Sequence, residues 1–302
     1  MSDDPLWPRA LDWLSRGSRS EGARLGVVGV PLSRTSISAS SAHTNPAAVR
    51  AALGRFSTYS AELEVDLETL EVIDHGDLDV SRLLGEEAID QVVAGIAALP
   101  SHDLVILLGG DNAITRPAAR GLAADLSRVG LLTLDAHHDV RGFHDGATNG
   151  TPVRGLIEDG LAAANVTQIG IGDFTNSRAY RAWCEGRGIT LVNAIDARDE
   201  GVGGCVRRHL DLLAATCDWI YVDLDVDVLD SAYAPGCPGA RPGGLAPFEL
   251  HAAAREAGLH PLVRAIDIVE VDAGRDPHGV TVDNAALCLL SAAAGLARRA
   301  GQ

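Results

Sequence analysis

Eight short apolar runs, at residues 25–30, 70–73, 104–108, 131–134, 166–171, 189–192, 219–224 and 264–269, constrain this chain most. They are rich in Val, Ile and Leu and nearly continuous rather than alternating, as expected of strands covered on both faces. Between most of them lie Ala/Leu/Arg segments of helical length, at 46–53, 86–98, 116–126, 151–161, 177–186 and 247–257. This alternation predicts βαβ units and a mostly parallel sheet of about eight strands with helices on both faces, a three-layer α/β/α fold. No composition break, repeat or Ser/Pro-rich linker divides the 302 residues. We therefore expect a single domain over 1–302, with an N-terminal extension at 1–20.

Two acidic runs follow two of the expected strands: Asp135-Ala136-His137-His138-Asp139 and Asp225-Val226-Asp227-Val228-Leu229-Asp230. Side chains two apart leave an extended strand on one side, so Asp135, His137 and Asp139 should converge, as should Asp225 and Asp227. Four carboxylates and an imidazole suit Mn²⁺ better than a structural Zn²⁺, which prefers Cys and His. A lone Asp at a strand end is as readily a turn former or helix cap. Five convergent ligands are not, because clustered carboxylates are rarely buried without cations. In open parallel sheets the site lies beyond the C-terminal strand ends, where Gly109-Gly110-Asp111-Asn112 and Glu270 also fall.

Composition narrows the partners. The net charge of −16 argues against nucleic acid and anionic membranes and leaves a small molecule as the expected substrate. All 25 basic residues are Arg, which excludes a Schiff-base lysine and a Walker-type phosphate loop. Cys184, Cys205, Cys217, Cys237 and Cys288 are odd in number, widely spaced and without a CxxC pair, so we expect reduced thiols and a cytoplasmic protein. The acidic, Pro-broken N-terminus is unlike a signal peptide. We expect that no apolar run approaches the roughly 18 residues of a membrane span.

These segments, in this order, resemble the ureohydrolase family. The stretch DVDVLDSAYAPGCPGARPGGL, beginning at Asp225, is similar to the family's DxDxxDPAFAPG…PGGL. Asp267 to Val271 is similar to its D(I/V)xEV strand, and Asn149-Gly150-Thr151-Pro152 to its HGxP or SGTP segment. The resemblance covers roughly residues 25 to 295. It implies an arginase-like fold, a binuclear manganese centre and a trimeric or hexameric assembly. By the same resemblance Asp135 and Asp225 bridge two Mn²⁺ ions, with His137 and Asp227 completing one and Asp139 the other.

The departures point within the family. Asn112 stands where the family usually has a His ligand; its amide oxygen is a weaker, neutral donor, so that metal position is expected to bind weakly. Asn149 stands where arginases and agmatinases carry a His, and formimidoylglutamases typically do not; we expect Asn149 to contact substrate. His144, five residues earlier, is expected to be solvated. Arg141 can grip a carboxylate through two hydrogen bonds, and Arg154 and Arg241 add positive charge for a dianionic substrate. The resemblance then implies hydrolysis of N-formimidoyl-L-glutamate to L-glutamate and formamide by metal-activated water, with Asp139 holding the nucleophile and Glu270 pairing with the amidinium. The alternatives are a hydrolase of another guanidino or amidino acid, such as guanidinobutyrate or agmatine, and a non-catalytic metal-binding relative.

Overall fold

The computed structural model describes Asp4 and residues 6–16 and 24–301, so the expected extension at 1–20 lies partly outside the described residues. Eight strands form one sheet: β1 (Leu25–Val30), β2 (Val72–Asp77), β3 (Leu104–Gly109), β4 (Val129–Leu134), β5 (Val166–Ile171), β6 (Thr190–Asn193), β7 (Trp219–Asp225) and β8 (Val263–Val269). Their order is β2-β1-β3-β8-β7-β4-β5-β6, and every neighbouring pair is parallel. Strands far apart in sequence thus meet at the centre. β3, β8, β7 and β4 lie side by side, and their C-terminal ends carry Asn112, Glu270, Asp225 and Asp135.

Alternate residues of each strand enter opposite cores, which is why the runs are apolar throughout. In β3, Leu104, Ile106 and Leu108 face the helices Asn45–Ala52, Pro247–Leu259 and Val280–Ala300, whereas Val105 and Leu107 face Gly85–Ala97, Thr115–Leu122 and Pro152–Glu158. The architecture is the expected α/β/α sandwich. All five cysteines are buried free thiols.

Three features differ from the sequence reading. The strand expected at 70–73 is shifted to Val72–Asp77, so Asp74 to Asp77 form the end of β2. Arg50 makes this possible by lying 2.7 Å from Asp74 Oδ2 and 2.5 Å from Asp77 Oδ1, which neutralises an acidic edge strand. Helices at Ala194–Glu200, Val202–Ala214 and Val280–Ala300 are not among the segments expected from the sequence; Val280–Ala300 is Ala-rich, and Ala carries little periodic contrast. Val280–Ala300 is also long and apolar enough, by length and composition, to cross a membrane, contrary to the expectation that no run is. In this protein 72% of its most apolar window is buried against the helix Pro247–Leu259 and the sheet.

Candidate metal centre and active-site mouth

The acidic runs converge through turns rather than through strand alternation. β4 ends at Leu134 and β7 at Asp225, so His137, Asp139 and Asp227 lie beyond the strands. Asp135 Oδ1 accepts the His137 N–H at 2.6 Å, and Asp225 Oδ1 accepts the Asp227 N–H at 2.8 Å. Each aspartate thereby folds its own run back over the strand end. Asp227 Oδ1 in turn accepts the Ala136 N–H at 3.2 Å, tying the runs together. His137 Nδ1 lies 2.7 Å from Asp227 Oδ2 and 3.5 Å from Asp135 Oδ1. Asn112 Nδ2 lies 2.9 Å from Asp139 Oδ2, 3.2 Å from Asp225 Oδ2 and 3.5 Å from Asp135 Oδ2.

The surrounding backbone leaves no slack. A Cβ at Gly110 would lie 1.7 Å from the carbonyl oxygen of Leu32, and one at Gly239 would lie 2.4 Å from Asp227 Oδ2. Asp139 (φ 50°) and Glu270 (φ 66°) occupy the left-handed region that side chains avoid. Glu270 is held there by its N–H to the Gly110 carbonyl at 3.0 Å, while its Oε1 accepts the Asn112 N–H at 2.8 Å and Asn149 Nδ2 at 3.0 Å.

So much buried acid is electrostatically incomplete. Burial, then the charge of Asp227, pushes Asp135 up to about 7. Burial and neighbouring carboxylates lift Asp139 and Asp225 well above the usual carboxylate range. Burial and then Asp111 raise Glu270 to about 8, and the charge of Asp227 raises His137 to about 12. Positive charge among these side chains would satisfy the carboxylates. The donor set fits two divalent cations: Asp135, Asp139, Asp225 and Asp227 balance four positive charges, and His137 and Asn112 complete a set of oxygen and nitrogen donors suited to Mn²⁺. Asp135, His137 and Asp227 already present one ligand atom each within 4.8 Å of one another.

The other expected site residues distribute unevenly around this cluster. Asn149 reaches it through Glu270, and its Oδ1 accepts the Ile37 N–H at 2.9 Å. Arg141 is exposed beside Gly150 and Ile37, and its guanidinium has no hydrogen-bond or ion-pair partner among the described residues. The Arg154 guanidinium stacks over the Trp183 ring, 4.8 Å from its centroid. Arg241 donates Nη1 to the carbonyls of Pro238, Gly239 and Ala240, bracing the turn that covers Asp227. Asp230 accepts the N–H groups of Ala232 and Gly243 and organises its loop. His144 is exposed in a short 3₁₀ turn.

Residues 23–295 match the arginase family model. The chain belongs to the arginase family. It is similar to the formimidoylglutamase of Halalkalibacterium halodurans, 38% identical over 280 residues covering 91% of this chain and 87% of that one. The solved structure of Bacillus subtilis formimidoylglutamase superposes with a TM-score of 0.91 at 33% identity, covering 98% of this chain and 94% of that one. That of Trypanosoma cruzi formiminoglutamase with Mn²⁺ superposes with a TM-score of 0.87 at 25% identity, covering 96% and 99%.

Sequence reasoning missed two supports of this arginase-family site. Asp111 is buried and accepts the hydroxyls of Thr35 and Ser36 at 2.8 and 2.7 Å, so the Ser/Thr-rich segment after β1 is pinned to the loop that carries Asn112. The clustered hydroxyls and the adjacent GGDN segment were the available signal. Beside the cluster, a cavity of about 760 Å³ is lined by His138, Asn176, Arg178 and Arg181. Asn176 links its wall to the ligand run, accepting the His138 N–H at 3.0 Å and donating to the Ala136 carbonyl at 2.8 Å.

Proposed function

We propose that this chain hydrolyses N-formimidoyl-L-glutamate to L-glutamate and formamide. The observation that carries the reading is the likeness to a formimidoylglutamase over 91% of the chain. The unpaired Arg141 at the mouth supports it, because the substrate is acidic. Asn112, Asp135, His137, Asp139, Asp225 and Asp227 would hold two Mn²⁺ ions. When bound, such a pair supplies Lewis-acid activation of water near neutral pH.

The chain's own residues do the rest. Arg141 holds a substrate carboxylate through charge-assisted hydrogen bonds. Glu270, fixed by the Asn112 N–H and the Asn149 amide, orients and stabilises the cationic amidinium. Asp139 holds the attacking water and passes a proton to the departing nitrogen. A carbon–oxygen bond forms at the formimidoyl carbon, the bond to the glutamate nitrogen breaks, and the imino nitrogen leaves with formamide. We further propose that the enzyme acts in the cytoplasm as a homotrimer or homohexamer. Five buried free thiols support the compartment, and the family likeness supports the assembly.

The test is a panel of formimidoylglutamate, guanidinobutyrate and agmatine with added Mn²⁺, with glutamate, formamide and urea measured separately. Formamide and glutamate from the first compound alone are expected. Urea from a guanidino compound with no formamide would replace this substrate by another in the family. A protein that takes up no Mn²⁺ at millimolar metal and releases neither product would refute the enzyme reading.

A further inference from the structure

Beneath Asn112 lies a buried hydroxyl ladder that metal binding alone does not require. Thr115, the first residue of the helix Thr115–Leu122, places Oγ1 2.7 Å from Asn112 Oδ1 and 2.7 Å from Asp267 Oδ2. Asp267 Oδ2 is also 2.8 Å from the Tyr221 hydroxyl. Thr115 and Asp267 are fully buried, and Tyr221 is among the largest fully buried side chains.

The Thr115 hydroxyl carries one proton. With Asn112 Oδ1 turned toward it, two acceptors compete for that proton: if Asn112 takes it, Thr115 Oγ1 and Asp267 Oδ2 stand 2.7 Å apart with no hydrogen between them, and if Asp267 takes it, Asn112 Oδ1 goes without. The two ends of an amide have nearly the same shape and exchange by a half-turn. After the half-turn each contact of the ladder holds one hydrogen: Tyr221 and Thr115 both donate to Asp267 Oδ2, and Asn112 Nδ2 donates to a lone pair of Thr115. Asn112 Oδ1 then faces Asp135, Asp139 and Asp225, an arrangement stable only with a cation between them.

We propose that Asp267, Thr115 and Tyr221 form a positioning relay that turns the amide oxygen of Asn112 toward the metal cluster and makes this neutral side chain a ligand. The inference rests on the metal reading above. It assigns Thr115 and Asp267 a role in metal affinity, although neither touches the cation, since groups that orient a ligand tune the affinity of the site.

The test is Mn²⁺ titration of the metal-stripped full-length protein by calorimetry, with electron paramagnetic resonance distinguishing isolated from spin-coupled ions. Wild type is expected to bind two ions. Thr115→Val should weaken the second ion by about 10- to 100-fold, leaving an isolated-ion spectrum at metal concentrations where wild type shows the coupled one. Thr115→Ser should restore both. Asp267→Asn can donate to Thr115 and reverse the ladder, so it should weaken the second ion while keeping its shape. Combining Thr115→Val with Asn112→Ala should cost nothing beyond Asn112→Ala alone. Unchanged affinity in Thr115→Val, or an undiminished further loss in the double variant, overturns the relay and leaves the metal reading intact. A wild-type protein that binds no Mn²⁺ overturns both.

Discussion

Replacing Arg141 by Ala isolates recognition of the substrate's acidic end. The side chain is exposed, and its guanidinium has no hydrogen-bond or ion-pair partner among the described residues; its backbone N–H bonds the Gly150 carbonyl at 2.9 Å irrespective of the side chain. The variant should therefore fold with a stability within about 0.5 kcal/mol of wild type. A hydrogen bond to a charged group contributes about 1.5–3 kcal/mol, which corresponds to about 10- to 150-fold in kcat/KM. Because the carboxylate is held equally in the ground and transition states, the loss should appear in KM with kcat little changed. Exposure makes the contact sensitive to salt, so the wild-type KM should rise between 0.05 and about 0.5 M NaCl while that of Arg141→Ala rises less. The assay is formamide release from formimidoylglutamate, run beside an N-alkyl formamidine that lacks carboxylates. Arg141→Ala should lose nothing relative to wild type on the carboxylate-free amidine. An equal loss on both compounds, or no loss on either, refutes carboxylate recognition by Arg141.

Four further outcomes are expected. Glu270→Gln keeps the acceptor for the Asn112 and Asn149 N–H groups but removes the charge facing the amidinium, so kcat should fall about 10²- to 10³-fold with KM nearly unchanged in steady-state assays. Gly110→Ala would set a Cβ against the Leu32 carbonyl and should cost more than about 4 kcal/mol, read as loss of the cooperative unfolding transition or of folded protein on expression. Burial lowers His251 to about 4 from its ordinary 6.5, so the unfolded chain takes up this proton first. The contribution of neutral His251 is present above pH 6.5 and declines as pH falls toward 4, by up to about 3 kcal/mol; denaturant titrations of wild type and His251→Gln should diverge only in that window. Chelating Mn²⁺ should lower the melting temperature by about 5 °C or more when free metal had been at 100 times Kd, equivalent to about 2.7 kcal/mol per site. Identical melting with and without chelator would exclude a cation from the acidic cluster.

The strands were legible because burial on both faces writes itself as uninterrupted apolar sequence, and β1 and β5 fall where the runs predict. The two acidic runs were legible because clustered acids and a histidine at strand ends have few structural uses. Their geometry was not. Spacing by two suggested an extended strand, whereas the folding back comes from Asp135 and Asp225 accepting N–H groups two residues ahead, a choice governed by local turn chemistry. The long arginines were least legible. Arg154 over Trp183 and Arg241 across its own turn take partners that only tertiary structure supplies. Thr115 and Asp267, 152 residues apart, meet because β3 and β8 are neighbours in the sheet, an adjacency that no local pattern encodes.

Stability and chemistry oppose each other most clearly at Asp139 and Glu270. Each non-glycine residue in the left-handed region costs on the order of 1–3 kcal/mol, and glycine would relieve the strain at either position. Glycine would also remove the carboxylate. The fold retains the strained residue by over-determining its backbone: the Asp139 carbonyl accepts the Arg154 N–H at 3.3 Å and the Glu270 N–H is fixed to Gly110. Gly110 directly follows β3, and Arg154 belongs to the helix Pro152–Glu158, which packs on the helix Thr115–Leu122 and the turn at Asn112, so both anchors are tied to the same end of the sheet. Left-handed acids, mutually repelling carboxylates and an amide in competition for one proton all gather at the ends of β3, β8, β7 and β4. Local preferences are overridden there because a cation and a substrate, rather than the chain itself, supply the missing interactions.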